Sequence, residues 1–293
     1  MTDALDYFQA RRRRLFSIAY RMLGVRADAE DVLQDVYLRW QGADMAQLDS
    51  PEAWLVTVTT RLSIDRLRAA KAERAAYVGT WLPEPMVEED MAASPEQAAE
   101  RADDVAYALL VMLERLAPEE RAAFLLRQVF DHDYADVARI LGKSEAACRQ
   151  LVHRARERVR HERRRYAVTP QTHRAQLEKF ILAAQSGDYH RIMALLSDDV
   201  QNAGDGGGKM PATFHPLVGA ARVARLYYAI ARRNGDRLSY RIARINGEPG
   251  LLRYLDGRLE AALSFVMDGD GIAAIYTVRN PDKLRHIAQA HPA

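Results

Sequence analysis

The sequence predicts a multidomain chain in which two all-α domains precede an α+β domain. Apolar residues recur at helical spacing from Leu5 to about residue 165, whereas beyond Thr169 several runs alternate with a period of two. Between the helical parts, residues 76–105 interrupt the pattern with a glycine and three prolines. A chain of 293 residues is long enough for such a division. We expect the boundaries to give the segments 1–75, 76–105, 106–168 and 169–293.

Charge is unevenly distributed along the chain. The net charge is +2, but residues 76–105 hold one basic and eight acidic side chains, and residues 139–165 hold ten basic and three acidic ones. The single cysteine, Cys148, excludes an intrachain disulfide and a multi-cysteine metal site. No apolar stretch has the length of a membrane span or a signal core, so we expect a cytoplasmic protein with no membrane association.

The first part of the chain predicts three helices. They run from Leu5 to Leu23, from about Ala27 to Trp40, and from Pro51, capped by Ser50, to about Arg74. The second helix places three polar side chains on its exposed side: Asp31, Gln34 and Asp35. Carboxylates grouped in this way favour a protein partner over DNA.

The third predicted helix combines an aromatic residue, hydroxyl groups and arginines. Trp54 precedes Thr57, Thr59 and Thr60, and several basic residues follow. This combination suits single-stranded DNA, which is bound by stacking and by phosphate contacts. The alternative is that Trp54 is a core residue.

Residues 134–165 predict two helices hinged at Gly142, the second capped by Ser144. The second helix has an apolar face and a face of long hydrogen-bonding side chains around the small Ala146, which suits a helix in the DNA major groove. A solvated basic helix is the alternative. Helices over 105–116 and 118–130 supply a small core beneath this pair.

The last part of the chain predicts helices over about 172–186, 188–196 and 219–234, followed by strands. The strands are joined at three two-residue turns that begin at Asn246, Asp256 and Asp268, each followed by glycine. We therefore expect a curled antiparallel sheet with helices before it.

Several motifs occur together in order and carry a resemblance to a known family. DAEDVLQDVYLRW at 28–40, AWLVTVTTRLSIDRLR at 53–68 and residues 106–165 resemble a bacterial extracytoplasmic-function (ECF) RNA polymerase sigma factor. The resemblance implies a region 2 of three or four helices and a region 4 helix-turn-helix. It also implies core RNA polymerase, through the β′ clamp and the β flap, and promoter DNA as partners. No catalytic residue, cofactor or metal is expected.

The same resemblance assigns site residues in three groups. Polymerase would be bound by Asp31, Gln34 and Asp35. The minus-ten strand would be bound by Trp54, Thr57, Arg61, Arg66 and Arg68. The minus-thirty-five element would be read by Ser144, Ala146, Arg149, Gln150, His153, Arg154 and Arg156.

Three further motifs resemble the ECF subgroup that carries a fused SnoaL-like domain with a cone-shaped fold. They are YVGTWLPEP at 77–85, DGGGK at 205–209 and NPDKL at 280–284. The resemblance implies regulation in cis, without a separate anti-sigma protein. The regulatory contacts would involve Trp81, Leu82, Pro83, Asp205, Gly206, Gly207, Gly208, Lys209, Asn280, Pro281 and Asp282.

Other interpretations stay open at this point. The cone domain could bind or convert a small-molecule ligand, with Asp205, His215, Tyr240 and Asp268 as candidate polar groups. DGGGK as a phosphate loop lacks the first glycine and has Met210 where a hydroxyl belongs. A repressor that uses only the helix-turn-helix would leave the first three helices unexplained.

Overall fold

A computed structural model describes residues 4–44, 47–88, 106–160 and 168–290. The chain divides into two compact units, of which the first comprises 1–75 and 110–163 and the second 76–109 and 164–293. Most of the acidic segment predicted over 76–105 lies outside the described residues. Every helix in the described part is too short or too polar to cross a membrane.

The first half of the chain is helical, as predicted. Its helices are α1 (Ala4–Leu23), α2 (Arg26–Gln41), α3 (Pro51–Ala69), α4 (Lys71–Ala75), α5 (Tyr107–Leu113), α6 (Pro118–Gln128), α7 (Tyr134–Leu141) and α8 (Glu145–Arg160). The third helix predicted to reach Arg74 is instead two helices, because α3 ends at Ala69 and α4 restarts after Ala70.

Helix α3 has an N-terminal cap, and two of its three threonine hydroxyls, those of Thr57 and Thr59, are bonded within the helix. Ser50 Oγ accepts from the amide of Ala53 at 3.3 Å, and Pro51 occupies the first turn. The buried Thr59 donates its hydroxyl to the carbonyl of Leu55 at 2.8 Å. Such return bonds remove most of the cost of burying a hydroxyl.

Helices α7 and α8 form the predicted helix-turn-helix. Gly142 ends α7 in the left-handed conformation, with φ of 63°, and Ser144 Oγ accepts from the amide of Ala147 at 3.2 Å. Helix α8 packs its apolar side against α6. The buried side chains on that side are Cys148, Leu151, Val152, Ala155 and Val159.

The second unit is α+β. Its helices are α9 (Pro170–Ser186), α10 (Tyr189–Ala194), α11 (Ala220–Asn234) and α12 (Pro281–Ala290). Its strands are β1 (Val87–Glu88), β2 (Leu196–Asp205), β3 (Leu217–Val218), β4 (Leu238–Ile245), β5 (Glu248–Leu255), β6 (Arg258–Asp268) and β7 (Gly271–Val278). The strand order is β1-β4-β5-β6-β7-β2-β3, and the sheet is not closed.

The predicted hairpins are confirmed, but the expectation of a purely antiparallel sheet is wrong. Strands β4 to β7 form an antiparallel meander through the predicted turns at Asn246-Gly247 and Asp256-Gly257 and through a third turn at Gly269-Asp270, one residue later than predicted. Strand β2 instead pairs in parallel with β7, with Ala203 opposite Tyr276. A parallel pair needs a long crossover, which here includes α11 and the meander. The sheet is therefore mixed.

The sheet curls around an aromatic core. Phe180 of α9 meets Tyr227 of α11 and Phe265 of β6 edge to face, with ring centroids 5.0 and 5.3 Å away. All three rings are buried. This core fixes the helices against the concave side of the sheet.

Candidate functional site

The exposed face of α2 carries the residues predicted to bind polymerase. Asp31, Gln34 and Asp35 are exposed, and Leu38 continues the same face one turn later with 58% of its surface exposed. An exposed leucine beside carboxylates indicates a protein-binding surface more strongly than the carboxylates alone. Sequence reasoning missed Leu38, although its helical spacing from Asp31 was readable.

The predicted minus-ten residues of α3 occupy different environments. Trp54 is half-buried, and its ring stands 5.7 Å from that of Trp40, so it takes part in the core that the alternative interpretation expected. Thr57 donates to the carbonyl of Ala53 at 2.7 Å. Arg66 is exposed and pairs with Asp28 at 2.7 Å.

Arg61 and Arg68 contact α7 and α6, respectively, in the same unit. Arg61 Nε donates to the carbonyl of Ile140 at 2.9 Å, at the end of α7. Arg68 Nη2 pairs with Glu119 at 2.7 Å, and Lys143 pairs with the same carboxylate at 3.1 Å. Two arginines predicted to meet promoter DNA are therefore engaged within the chain.

A second, buried connection joins the same two parts of this unit. Arg121 of α6 is 2% exposed and donates to the carbonyl of Met22 at 2.7 Å. Arg74 donates to the carbonyl of Leu23 at 2.6 Å, and Glu114 pairs with both arginines. The free carbonyls at the end of α1 are thus capped by arginines from α4 and α6.

The outer face of α8 presents the predicted minus-thirty-five residues. Ser144, Ala146, Arg149, Gln150, His153, Arg154 and Arg156 are all exposed. Arg149 forms a pair with Glu145 one turn away at 2.6 Å. Arg154 is bonded to Glu120 at 2.9 Å, and Arg156 is bonded to Gln128 at 2.7 Å. Arg149, Arg154 and Arg156 are therefore all held by partners within the unit, and Gln150 and His153 lie exposed on the same face.

The second unit contains a buried polar cluster centred on Asp205, at the end of β2. Asp205 is 0% exposed. Its Oδ1 accepts from the Tyr77 hydroxyl at 2.5 Å and from the amide of Gly207 at 3.0 Å. Its Oδ2 accepts from the amide of Leu82 at 3.0 Å and from Lys283 Nζ at 2.7 Å. We call this cluster, with the linker residues that it holds, the linker clamp.

Lys283 of α12 is the cation of the linker clamp. Besides Asp205, its Nζ donates to the carbonyl of Leu82 at 2.5 Å and lies 3.3 Å from the centre of the Trp81 ring. Burial and the hydrogen bond to Asp205 raise the pKa of Tyr77 well above its usual value, so the phenol stays a donor. Sequence reasoning missed Lys283 although it belongs to NPDKL.

Glycine is required within DGGGK because neighbouring atoms approach the backbone so closely that they leave no room for a Cβ. A Cβ on Gly206 would collide with the carbonyl oxygen of Met210. Gly207 has φ of 61°, and a Cβ there would collide with the side-chain amide of Asn280. Asn280 Nδ2 in turn donates to the Tyr77 hydroxyl at 2.8 Å. The glycine run therefore lets the loop lie directly on the linker clamp.

The remaining predicted residues surround this cluster. Lys209 pairs with Asp282 at 2.5 Å on the surface, Pro83 is buried, and Pro281 begins α12. Tyr107 donates its hydroxyl to the carbonyl of Pro83 at 2.6 Å. Further along the linker, β1 pairs with β4, with Val87 opposite Ile245. WLPEP, DGGGK and NPDKL thus meet in one place.

The comparisons with known proteins agree with these features. Residues 7–73 match the family described as Sigma-70 region 2, and residues 106–159 match Sigma-70, region 4. The ECF RNA polymerase sigma factor SigJ of Mycobacterium tuberculosis is 39% identical over 94% of this chain and 91% of its own length. The chain belongs to the ECF sigma factors.

One further relative and one solved structure support the assignment over the whole length. The probable ECF sigma factor SigI of M. tuberculosis is 31% identical over 94% of this chain and 93% of its own. The crystal structure of M. tuberculosis SigJ superposes with a TM-score of 0.78 and 34% identity, covering 98% of this chain and 99% of the other. The chain is a sigma factor with a C-terminal SnoaL-like domain, and it directs promoter-specific initiation by RNA polymerase. It is not an enzyme.

Proposed function

We propose that the SnoaL-like domain regulates this sigma factor in cis by controlling how far region 2 and region 4 can separate. The linker clamp supports this proposal, because buried Asp205 and Lys283 hold Tyr77 and Leu82. These linker residues lie between the two DNA-binding regions in the chain.

The maximum distance between Ala75 and Leu110 depends on whether the linker is held. The bond from Tyr107 to Pro83 joins the two ends of the acidic segment. The shortest route from Ala75 to Leu110 then runs through 76–83, the Tyr107 side chain and 107–109, which together extend to at most about 50 Å. With the clamp released, residues 76–109 extend to about 110 Å.

Promoter binding requires the larger span. The minus-ten and minus-thirty-five elements are about 25 base pairs apart, which is on the order of 80 Å along the duplex. In the free chain, α3 and α7 are within hydrogen-bonding distance through Arg61. Region 2 and region 4 must therefore separate, and the clamped linker restrains that separation.

The site residues have the following proposed roles. Asp31, Gln34 and Asp35, together with Leu38, bind the β′ clamp of polymerase, and region 4 binds the β flap. Helix α3 captures the minus-ten strand once Arg61 and Arg68 leave region 4. Arg149, Gln150 and His153 read bases of the minus-thirty-five element, while Arg154 and Arg156 contact phosphate.

The proposal also covers the partners, the location and the functional segments of the protein. Because the regulatory contacts are intramolecular, no separate anti-sigma protein is required, and the protein acts in the cytoplasm, where polymerase is. The functional segments are region 2 (1–75), the linker (76–105), region 4 (106–168) and the regulatory domain (169–293).

The test is run-off transcription with core polymerase and the Tyr107→Phe variant. This change removes one hydroxyl and so releases the bond that shortens the linker, which should raise transcript yield. Tyr254→Phe is a matched control, because the Tyr254 hydroxyl has no hydrogen-bond partner among the described residues. Equal yields from Tyr107→Phe and Tyr254→Phe would argue against control through linker length.

A further inference from the structure

The SnoaL-like domain contains a cavity of ≈ 250 Å³ between α11 and the sheet. One wall is apolar, with Leu226 and Ile230 of α11 and Pro211 of the loop after DGGGK. The opposite wall is polar and comes from Asn202, Arg253 and Thr277, on three strands. None of the polar candidates named from sequence, Asp205, His215, Tyr240 and Asp268, lines it.

Arg253 has an unusual environment. It is 3% exposed, and its Nε donates to Glu260 at 2.6 Å. No acceptor among the described residues meets strict hydrogen-bond geometry for its buried Nη1 or for the hydroxyl of Thr277, although the phenols of Tyr240 and Tyr227, respectively, lie beside them. Arg253 and Thr277 both line the cavity, and an anion there would give these groups a stronger and better-aligned acceptor than a neutral phenol.

The charge at the cavity also favours an acceptor that is negative. Arg253 and Arg279 both line it, and they share one carboxylate, Glu260. Among these three side chains one positive charge is therefore uncompensated. An anion placed here would be surrounded by low-dielectric walls, where its attraction to a guanidinium is stronger than in water.

We propose that this cavity binds a small monocarboxylic acid. The carboxylate accepts from Arg253 Nη1 and the Thr277 hydroxyl, and the apolar body of the acid lies against Leu226 and Ile230. The ligand site is distinct from the linker clamp but shares its strands. Asn202 and Thr277 line the cavity, while the same strands lead to Asp205 and Asn280, whose backbones are bonded at 3.0 Å. A ligand in the cavity would therefore contact the strands that lead directly to the linker clamp.

Binding is tested by calorimetric titration of the full chain with hexanoate and benzoate, each paired with its neutral amide. The acids should bind at least ten times more tightly than hexanamide and benzamide. Thr277→Val removes a hydroxyl without disturbing the Arg253–Glu260 pair, and it should weaken acid binding several-fold. Equal binding of acids and amides, or no heat from either acid at millimolar concentration, would overturn the proposal.

Two more variants locate the site. Arg253→Met combined with Glu260→Gln removes both charges of the buried pair and should abolish acid binding. Ile230→Trp fills the cavity from the α11 side and should do the same while leaving the polar wall unchanged. Tyr228→Phe is the control: Tyr228 lies on α11, is exposed and does not line the cavity, so affinity should stay within two-fold. Acid binding that survives Ile230→Trp would contradict the assigned site.

Discussion

Lys283 and Asp205 form a buried ion pair, with Nζ 2.7 Å from Oδ2 and side-chain exposures of 7% and 0%. One partner lies on α12 and the other ends β2, and both also bind the linker backbone at Leu82. Removing one member of such a pair leaves a desolvated charge, whereas removing both leaves only unfilled hydrogen bonds. The pair therefore links the stability of the domain to the position of the linker.

The first prediction concerns this pair. Lys283→Met should lower the free energy of unfolding of the second unit by about 3 to 5 kcal/mol, because Asp205 stays buried without its cation. Asp205→Asn combined with Lys283→Met should cost less than Lys283→Met alone. Lys209→Ala breaks the exposed pair with Asp282 and should cost less than about 1 kcal/mol. Urea unfolding, fitted with separate transitions for the two units, measures all three.

The second prediction separates backbone strain from the collision at Asn280. Gly207→Ala and Gly269→Ala both place alanine at positive φ, 61° and 58°, which costs about 1 to 2 kcal/mol. Only at Gly207 would the new Cβ strike a neighbour, since nothing lies within 4 Å at Gly269. Limited proteolysis should therefore cleave residues 76–88 faster in Gly207→Ala alone. The same cleavage rate in both variants would show that the glycine run does not seat the linker.

The third prediction tests the α2 surface. Asp31→Arg combined with Gln34→Ala should weaken binding to core polymerase at least ten-fold, because these exposed side chains form the proposed contact. Circular dichroism should be unchanged. Glu178→Arg, which reverses an exposed carboxylate on α9 in the other unit, is the control and should bind normally. Unaltered affinity of the double variant would remove α2 from the polymerase interface.

The fourth prediction is a pH dependence of the second unit. Burial lowers the pKa of His173 to about 4 from its usual value near 6.5. The unfolded chain therefore binds the proton first as pH falls, and stability is lost between about pH 6.5 and 4, by up to about 3 kcal/mol. His173→Gln should remove this slope from the unfolding free energy, whereas His190→Gln, on the surface, should retain it. If the pH dependence of the unfolding free energy persists in His173→Gln, other titratable groups cause it.

Local features were predicted from the sequence, and non-local ones were not. The hairpin turns at Asn246 and Asp256 are set by two-residue signals that act between neighbouring strands. Strand β2 was missed because Asp198, Asp199 and Gln201 give it a polar sequence, and its parallel partner β7 is distant in the chain.

The site divides in the same way. The motifs WLPEP, DGGGK and NPDKL were identified together, and the structure brings them together around Asp205. Lys283 was missed because a lysine at a helix start is usually solvated, and its burial depends on the linker lying over it. Arg253 had no local signal at all, because only the folded sheet places it at a cavity.

In the proposed mechanism the linker clamp restrains transcription, and a reversible crosslink between the linker and the SnoaL-like domain tests this. A Cβ on Gly208 would lie 3.3 Å from the Cβ of Val78, close to the separation in a disulfide. In a chain with Val78→Cys and Gly208→Cys, oxidation should lock the linker to the SnoaL-like domain. The native Cys148 is buried and does not interfere. Run-off transcription with core polymerase should fall at least several-fold in the oxidised double variant and recover on reduction, while each single variant responds to neither treatment. Equal or higher transcript yield from the oxidised double variant would show that the linker clamp does not restrain transcription.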